Sequence, residues 1–227
     1  MICNAVILAR GGSKRIPKKN IKMFLGKPLI SYPIDTCVES NAFDNIFVSS
    51  DSMDIINVGL KFGANNFIKR KNAFSNDMVS AFETAQESAR ILSGEYPDDS
   101  LLTIMYGTSI FVKPYMVKQS VEALRQFNCE MVFAATKFNF PPQRGFKIVD
   151  ERAVAINPEH FLSRSQDLEQ LYHDVGQIYT ASLKYWKSAK NIFSKNSKVL
   201  LIPEYEVQDI DTLDDWKNAE IKYREML

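Results

Sequence analysis

Cysteine is scarce in this chain and never paired: Cys3, Cys37 and Cys129 are widely spaced, odd in number and form no Cys-x-x-Cys. That argues against a disulfide framework and fits a reduced, cytoplasmic protein. Glycine and proline, at 9 residues each among 227, are too few for a collagen-like or low-complexity chain. No long hydrophobic run is present. The apolar stretch Cys3–Ala9 follows no charged leader. It is too short for a signal-peptide core with its cleavage site and far too short to span a bilayer, so no membrane partner is expected. Internal repeats and separating linkers are also missing. At 45% hydrophobic residues, positions 1–227 read as one domain with a sizeable core.

Acid is missing from the start of the chain. Seven basic side chains (Arg10, Lys14, Arg15, Lys18, Lys19, Lys22, Lys27) precede the first acidic one, Asp35, whereas acids outnumber bases from Glu204 onward. The net charge of +1 conceals this asymmetry. It suits a ligand that is itself an anion with a cation beside it, such as a polyphosphate with its metal. Two oppositely charged solvated faces would look the same from charge alone. A nucleic-acid partner is not expected, because the overall charge is near neutral and no aromatics interleave with the N-terminal bases.

Short β-branched runs alternate with amphipathic stretches. Strands are expected at Cys3–Ala9, Asn45–Ser50, Asn66–Lys69, Leu101–Tyr106, Met131–Lys137, Gly176–Ala181 and Lys198–Ile202. Helices are expected at Pro28–Ser40, Asp54–Phe62, Asp77–Ser93, Pro114–Phe127 and Leu213–Met226. The alternation predicts an α/β fold, a mostly parallel Rossmann-like sheet with helices on both faces. In such sheets ligands bind beyond the carboxyl ends of the strands, here after Ala9, Ser50 and Tyr106. Phe138 to Tyr172 breaks the pattern with Pro141, Pro142, Pro158 and little periodicity, and reads as an excursion from the sheet. It carries Phe138, Phe140, Phe146 and Phe161, which would form an exposed apolar patch on a monomer.

Three strings carry chemistry. In Leu8-Ala9-Arg10-Gly11-Gly12-Ser13-Lys14-Arg15-Ile16-Pro17-Lys18-Lys19-Asn20, the glycines follow a strand directly. They allow a tight turn that aims successive N–H groups into one concavity, with Arg10, Lys14 and Lys19 adding charge and Ser13 and Asn20 neutral donors. The glycine spacing is neither a Walker A motif nor a dinucleotide fingerprint. Taken as a bare turn, it could equally be a solvated basic loop. In Val207-Gln208-Asp209-Ile210-Asp211-Thr212, an extended backbone puts both carboxylates on one side, where they can hold Mg²⁺ through oxygen. Thr212-Leu213-Asp214-Asp215 also fits a helix capping box, which explains Thr212 and Asp215 but not Asp209 and Asp211. The third string is spread over Phe140-Pro141-Pro142-Gln143-Arg144, Arg164-Ser165-Gln166-Asp167 and Tyr172-His173-Asp174-Val175-Gly176-Gln177. Arg144 and Arg164 suit a carboxylate, which a guanidinium grips in bidentate fashion. His173 beside Asp174 suits a base, and a hydrogen-bonded structural histidine fits as well.

The first string matches Ala-Arg-x-x-Ser-Lys-x-x-Pro-x-Lys-Asn, and with it the chain resembles the cytidylyltransferases that activate sialic acids and related sugars. The third string looks like the pseudaminic acid branch of that family. The resemblance runs from Ile2 to Tyr223 and implies that CTP and a nine-carbon acidic sugar give a CMP-sugar and pyrophosphate, serving surface glycan or flagellin glycosylation. It implies catalytic roles for Arg10, Lys19, Asp209 and Asp211, with Mg²⁺ on the two aspartates. Nucleotide contacts would come from Arg10, Gly11, Gly12, Ser13, Lys14, Lys19, Asn20, Arg70, Ser80 and Tyr106. Gln143, Arg144, Arg164, Gln166, His173 and Gln177 would hold the sugar. Asp51 stands where the family has Ser-Thr-Asp. Departures are Val79 and Ala81 in place of serines, Tyr106 in place of glutamine and Ile110 in place of proline. The family's habit also implies a homodimer, with residues 138–175 as the dimerisation and sugar-binding excursion. Sialic, legionaminic and 3-deoxy-manno-octulosonic acids are the alternative sugars. A non-catalytic nucleotide sensor on the same fold would be expected to lose Asp209 or Asp211.

Overall fold

The computed structural model describes residues 1–71 and 79–226. In chain order these form β1 (Cys3–Leu8), β2 (Met23–Phe24), β3 (Lys27–Pro28), α1 (Ser31–Ser40), β4 (Asn45–Ser50), α2 (Met53–Lys61) and β5 (Asn66–Lys69). There follow α3 (Ala81–Leu92), β6 (Leu101–Tyr106), α4 (Pro114–Gln126), β7 (Met131–Lys137), β8 (Phe146–Val149) and β9 (Arg152–Ala155). The last elements are β10 (Tyr172–Ser182), α5 (Leu183–Ser188), β11 (Ser197–Leu201) and α6 (Leu213–Glu225).

The main sheet has 7 strands in the order β11-β7-β10-β6-β1-β4-β5. β1 lies between β6 and β4, parallel to both, and every residue of it is buried. That burial on two faces is why Cys-Asn-Ala-Val-Ile-Leu reads as a continuous apolar run rather than an alternating one. Only β10 runs antiparallel to its neighbours, β6 and β7, so the expected mostly parallel α/β sheet is what forms. One face is covered through Ile34 of α1, Ile55 and Ile56 of α2 and Val117 of α4. The other is covered by α3 and α5, whose Phe82 and Trp186 rings pack 5.9 Å apart while the Trp186 indole N–H donates to the Leu102 carbonyl at 3.0 Å.

A third apolar cluster decides where the ends of the chain go. Ile16, Phe24, Tyr32, Phe111, Ile210 and Trp216 are buried together. Phe24 stands edge-on to Tyr32 at 5.4 Å and to Trp216 at 5.3 Å. This cluster joins the basic loop after β1 to the acidic segment before α6.

Several boundaries differ from the sequence reading, each for a local reason. Pro28 does not open α1. Leu25 and Gly26, both at positive φ (43° and 98°), make a tight turn that pairs Lys27–Pro28 back onto Met23–Phe24, and α1 starts at Ser31. α3 starts at Ala81 because Ser80 and Glu83 form a capping box; Asp77 and Met78, assigned to this helix from sequence, lie outside the described residues. β10 begins at Tyr172, not Gly176, so the strand takes in the end of the stretch assigned to the excursion. A bulge between Asp174 and Tyr179, with Gly176 at φ 63°, hides the alternation there. The short α5 was not foreseen at all. Within the excursion, β8 and β9 form a hairpin turned by Asp150 and Glu151 at φ 48° and 62°. Phe140, Phe146, Ile148 and Phe161 are exposed on the excursion, and Leu162 is 98% exposed. Phe138 is not part of that patch: it is half-buried, with its ring 4.7 Å from that of His173.

Candidate active site

The carboxyl ends of β1, β4, β5 and β6 converge. Gly11 follows β1, and its backbone N–H donates to the Asp51 carboxylate at the end of β4 (2.7 Å). Asn20 is buried, its amide donating to the Arg10 carbonyl at 2.9 Å, so it braces the loop from within. Gly107 follows β6, and its backbone N–H reaches the Leu8 carbonyl at 3.0 Å. A Cβ on Gly107 would overlap the Asn20 carboxamide oxygen, so only glycine lets β6 close against the loop. Gly12, Lys14, Arg15 and Lys18 face solvent, Ser13 and Lys19 are half-buried, and Arg10 stands exposed at the loop's start.

Arg70 follows β5. Burial pulls its guanidinium below the ordinary arginine value; Asp51 opposes this and the neighbouring Arg10 adds to it. Its Nε and one Nη are buried without a partner among the described residues. A buried, unsatisfied cation beside a second arginine is a strong demand for an anion.

The acidic segment arrives from the other side. Ile210 is fully buried in the third cluster, which leaves Asp209 exposed and Asp211 half-exposed. Asp211 accepts from Arg15 at 2.5 Å and from Lys19 at 3.2 Å, and Lys19 also donates to the Ile210 carbonyl at 2.5 Å. The Asp209 carboxylate accepts from the Ile210 N–H at 2.8 Å. Thr212 and Asp215 do form a capping box, and its hydrogen bonds from Thr212 hold the Asp215 carboxyl below its usual value. Asp209 and Asp211 stand outside the box. They are hard oxygen donors, and no cluster of three or more His, Cys, Asp or Glu able to hold a metal occurs among the described residues. A metal held here would draw its remaining oxygen ligands from phosphate and water, a donor set that fits Mg²⁺.

Of the other predicted residues, Ser80 caps α3, its hydroxyl accepting from the Glu83 N–H at 3.1 Å. Tyr106 closes β6, and Asp209 is near enough for its charge to act on the phenol. Gln177 is 3% exposed with both amide atoms unpartnered, and His173 stacks on Phe138. Gln143, Arg144, Arg164 and Gln166 lie on the excursion. Gln143 donates to the Glu169 carbonyl (2.8 Å), and Arg144 binds Ser165 (3.2 Å) and the Ser163 carbonyl, bonds that stay within the excursion. Arg15 was missed as a site residue, although it sat inside the basic string. Asp174 and Tyr179 were missed because only the bulge brings them together.

Comparison with known proteins agrees with this geometry. Residues 4–224 match the protein family described as Cytidylyltransferase. The chain is 41% identical over 221 residues to the pseudaminic acid cytidylyltransferase of Campylobacter jejuni subsp. jejuni serotype O:2, covering 96% of this chain and 95% of that protein. It is 31% identical to the CMP-N,N'-diacetyllegionaminic acid synthase of Legionella pneumophila, over 95% of this chain and 94% of that one. Among solved structures, a CMP:2-keto-3-deoxy-manno-octonic acid synthetase complexed with CTP superposes with a TM-score of 0.73 at 14% identity, covering 100% of both chains. At that identity the likeness speaks for the fold.

The Gly107–Asn20 contact gives a direct test of the loop. Gly107→Ala must push Asn20 off the Arg10 carbonyl, releasing the loop without touching a loop residue. Binding of CTP, measured by calorimetry, is expected to weaken at least about tenfold, the scale of one buried hydrogen bond lost with strain added. Unchanged affinity would show that Asn20 does not shape the phosphate loop.

Proposed function

The chain belongs to the cytidylyltransferase family, and from that premise we infer that its site joins CTP to a nonulosonic acid, releasing pyrophosphate and a CMP-sugar. The observation that carries this reading is 41% identity to a pseudaminic acid cytidylyltransferase across nearly the full length of both chains. The site supports it with a phosphate-shaped loop and, in Arg70, a buried cation lacking its anion.

The backbone of Gly11 and Gly12, with Arg10, Ser13, Lys14 and Lys19, holds the triphosphate, and Arg70 and Arg10 neutralise it together. Tyr106 and Ser80 stand toward the nucleoside side. The anomeric hydroxyl at the sugar's C2 attacks the α-phosphorus in line, and pyrophosphate leaves. No covalent enzyme intermediate is needed, because positioning and charge neutralisation supply most of the acceleration of such transfers. Asp209 and Asp211 are placed to hold Mg²⁺, which when bound neutralises charge on the transferring and leaving phosphates. Asp211 is meanwhile held by Arg15 and Lys19. A triphosphate is the stronger anion for those two cations, so its arrival frees the Asp211 oxygens.

On the acceptor side, Gln177 and His173 face the site from β10, while Arg144 and Arg164 ride on the excursion. The excursion's exposed Phe140, Phe146, Ile148 and Leu162 are apolar surface suited to a second copy, and a homodimer would bring one copy's arginines toward the other's site. Arg144 and Arg164 can read the C1 carboxylate that all such sugars share. Gln143, Gln166, His173 and Gln177 are then left to discriminate among epimers, with pseudaminic acid as the preferred acceptor. Free Cys3, Cys37 and Cys129 suit a cytoplasmic setting, and no helix among the described residues is long and apolar enough to cross a membrane.

Three measurements test this reading. Comparing kcat/KM for pseudaminic, legionaminic and N-acetylneuraminic acids at saturating CTP is expected to favour pseudaminic acid, and a higher value for N-acetylneuraminic acid would overturn the sugar. Chelator is expected to abolish pyrophosphate release. Asp211→Ala is expected to lower kcat about a hundredfold or more with the fold intact, as for other lost charge-stabilising groups; full activity in either case refutes the metal assignment. Sedimentation equilibrium at micromolar concentration is expected to give twice the 25.9 kDa chain mass, and a monomer would exclude the dimer.

A further inference from the structure

Between α3, β6, β10 and α5 lies a cavity of about 350 Å³. Phe82, Ile104 and Trp186 make its lining apolar, while Tyr106, Asp174 and Tyr179 give it a polar side. Asp209 acts on Tyr106 from the direction of the acidic segment, so the cavity adjoins the place where the phosphates are held.

The polar side is a directed chain. The Asp174 carboxylate has both oxygens engaged: Oδ1 accepts from the Gly176 N–H at 3.1 Å and Oδ2 from the Tyr179 hydroxyl at 2.6 Å. The first bond fixes the bulge, where Gly176 adopts φ 63° with its Cα against the Tyr106 ring. The second sets a direction. An ionised carboxylate only accepts, so the Tyr179 proton points at Asp174. Tyr179 is 4% exposed and in hydrogen-bonding contact with Tyr106, whose ring centroid lies 6.0 Å away. With its own proton committed, Tyr179 can only accept from Tyr106. The Tyr106 proton is then also used, and its oxygen offers lone pairs alone. Burial pushes both phenols up, which keeps them protonated at neutral pH.

We propose that Asp174, acting through Tyr179, fixes the Tyr106 hydroxyl as a hydrogen-bond acceptor toward this cavity and thereby selects a sugar that brings an N–H donor beside an apolar group. An acylamino substituent is such a group, with its N–H on Tyr106 and its methyl on the apolar lining. The inference rests on the acceptor being a nonulosonic acid. Tyr106 touches the sugar, and Asp174 and Tyr179 are positioning residues that act through it.

The direction of the chain provides a test that a merely structural role would not pass. Asp174→Asn keeps the shape and can still accept from Gly176, but it then presents an NH₂ group to Tyr179. Tyr179 must accept from it and donate to Tyr106, so Tyr106 turns its proton into the cavity and a donor meets a donor. Tyr179→Phe cuts the chain and leaves Tyr106 free to rotate. With pseudaminic acid varied at saturating CTP and Mg²⁺, Asp174→Asn is expected to raise the sugar KM about ten- to a hundredfold, the scale of a mismatched buried donor. Tyr179→Phe is expected to raise it only about three- to tenfold, as for one ordinary hydrogen bond. The double variant Asp174→Asn/Tyr179→Phe is expected to match Tyr179→Phe alone, because the reversal can no longer be transmitted. KM for CTP is expected to stay unchanged throughout. Should Asp174→Asn fail to fold, Tyr106→Phe is the second probe, with the same loss expected in sugar KM and none in CTP KM. The proposal is overturned by an unchanged sugar KM in Asp174→Asn or Tyr106→Phe, by a double variant worse than Tyr179→Phe, or by equal losses for sugar and CTP. A wild-type chain that turns over no nonulosonic acid overturns the acceptor assignment first and this inference with it.

Discussion

The site depends on an apolar clamp. A loop carrying so many cations and no anion repels itself, and something must hold it against the acidic segment before any ligand arrives. Two kinds of contact do so: the Arg15 and Lys19 pairs with Asp211, and the cluster of Ile16, Phe24, Ile210 and Trp216 beneath them. Their magnitudes differ. Asp211 is 39% exposed and Arg15 63%, and pairs of that exposure contribute about 0–1 kcal/mol. Each large side chain buried in the cluster contributes about 1.5–3 kcal/mol, and the edge-on aromatic pairs about 0.5–1.5 more. The clamp is therefore apolar, and the ion pairs above it are weak enough to be exchanged. A phosphate site needs that division, with its frame fixed while its charges change partners.

The sheet does the rest of the positioning. β1, β4, β5 and β6 run parallel, so their carboxyl ends share one edge, and loop, Asp51, Arg70 and Gly107 meet there without long excursions of chain. β10, the antiparallel strand, lies directly beside β6. Its bulge turns Asp174 and Tyr179 into the cavity at that same edge. Nucleotide and acceptor thus approach from adjacent strands, which is what in-line attack on a phosphorus requires.

Much of this was legible in the residues. The burial of β1 on both faces, the strand-loop junction at Ala9–Arg10 and the outward aspartates flanking Ile210 follow from period and spacing alone. What was missed has physical causes. Lys27–Pro28 looked like a helix start because proline is favoured there, but the left-handed turn at Leu25–Gly26 uses it to close a hairpin. α5 is 6 residues long, too short to show a helical period. The start of β10 was hidden by the bulge, and with it the meeting of Asp174 and Tyr179 five positions apart. Arg15 was visible as a charge, but its pairing with Asp211 depends on contacts 196 residues apart in sequence.

The central claim is that the site delivers the acceptor's C2 oxygen to the α-phosphorus of CTP. A nonulosonic acid carrying ¹⁸O in its C2 hydroxyl, mixed with CTP and Mg²⁺ and followed by ³¹P NMR, reports on that bond directly. The account predicts an isotope-shifted phosphorus signal in the CMP-sugar and none in pyrophosphate. Label appearing in pyrophosphate, or a CMP product without label, would contradict it.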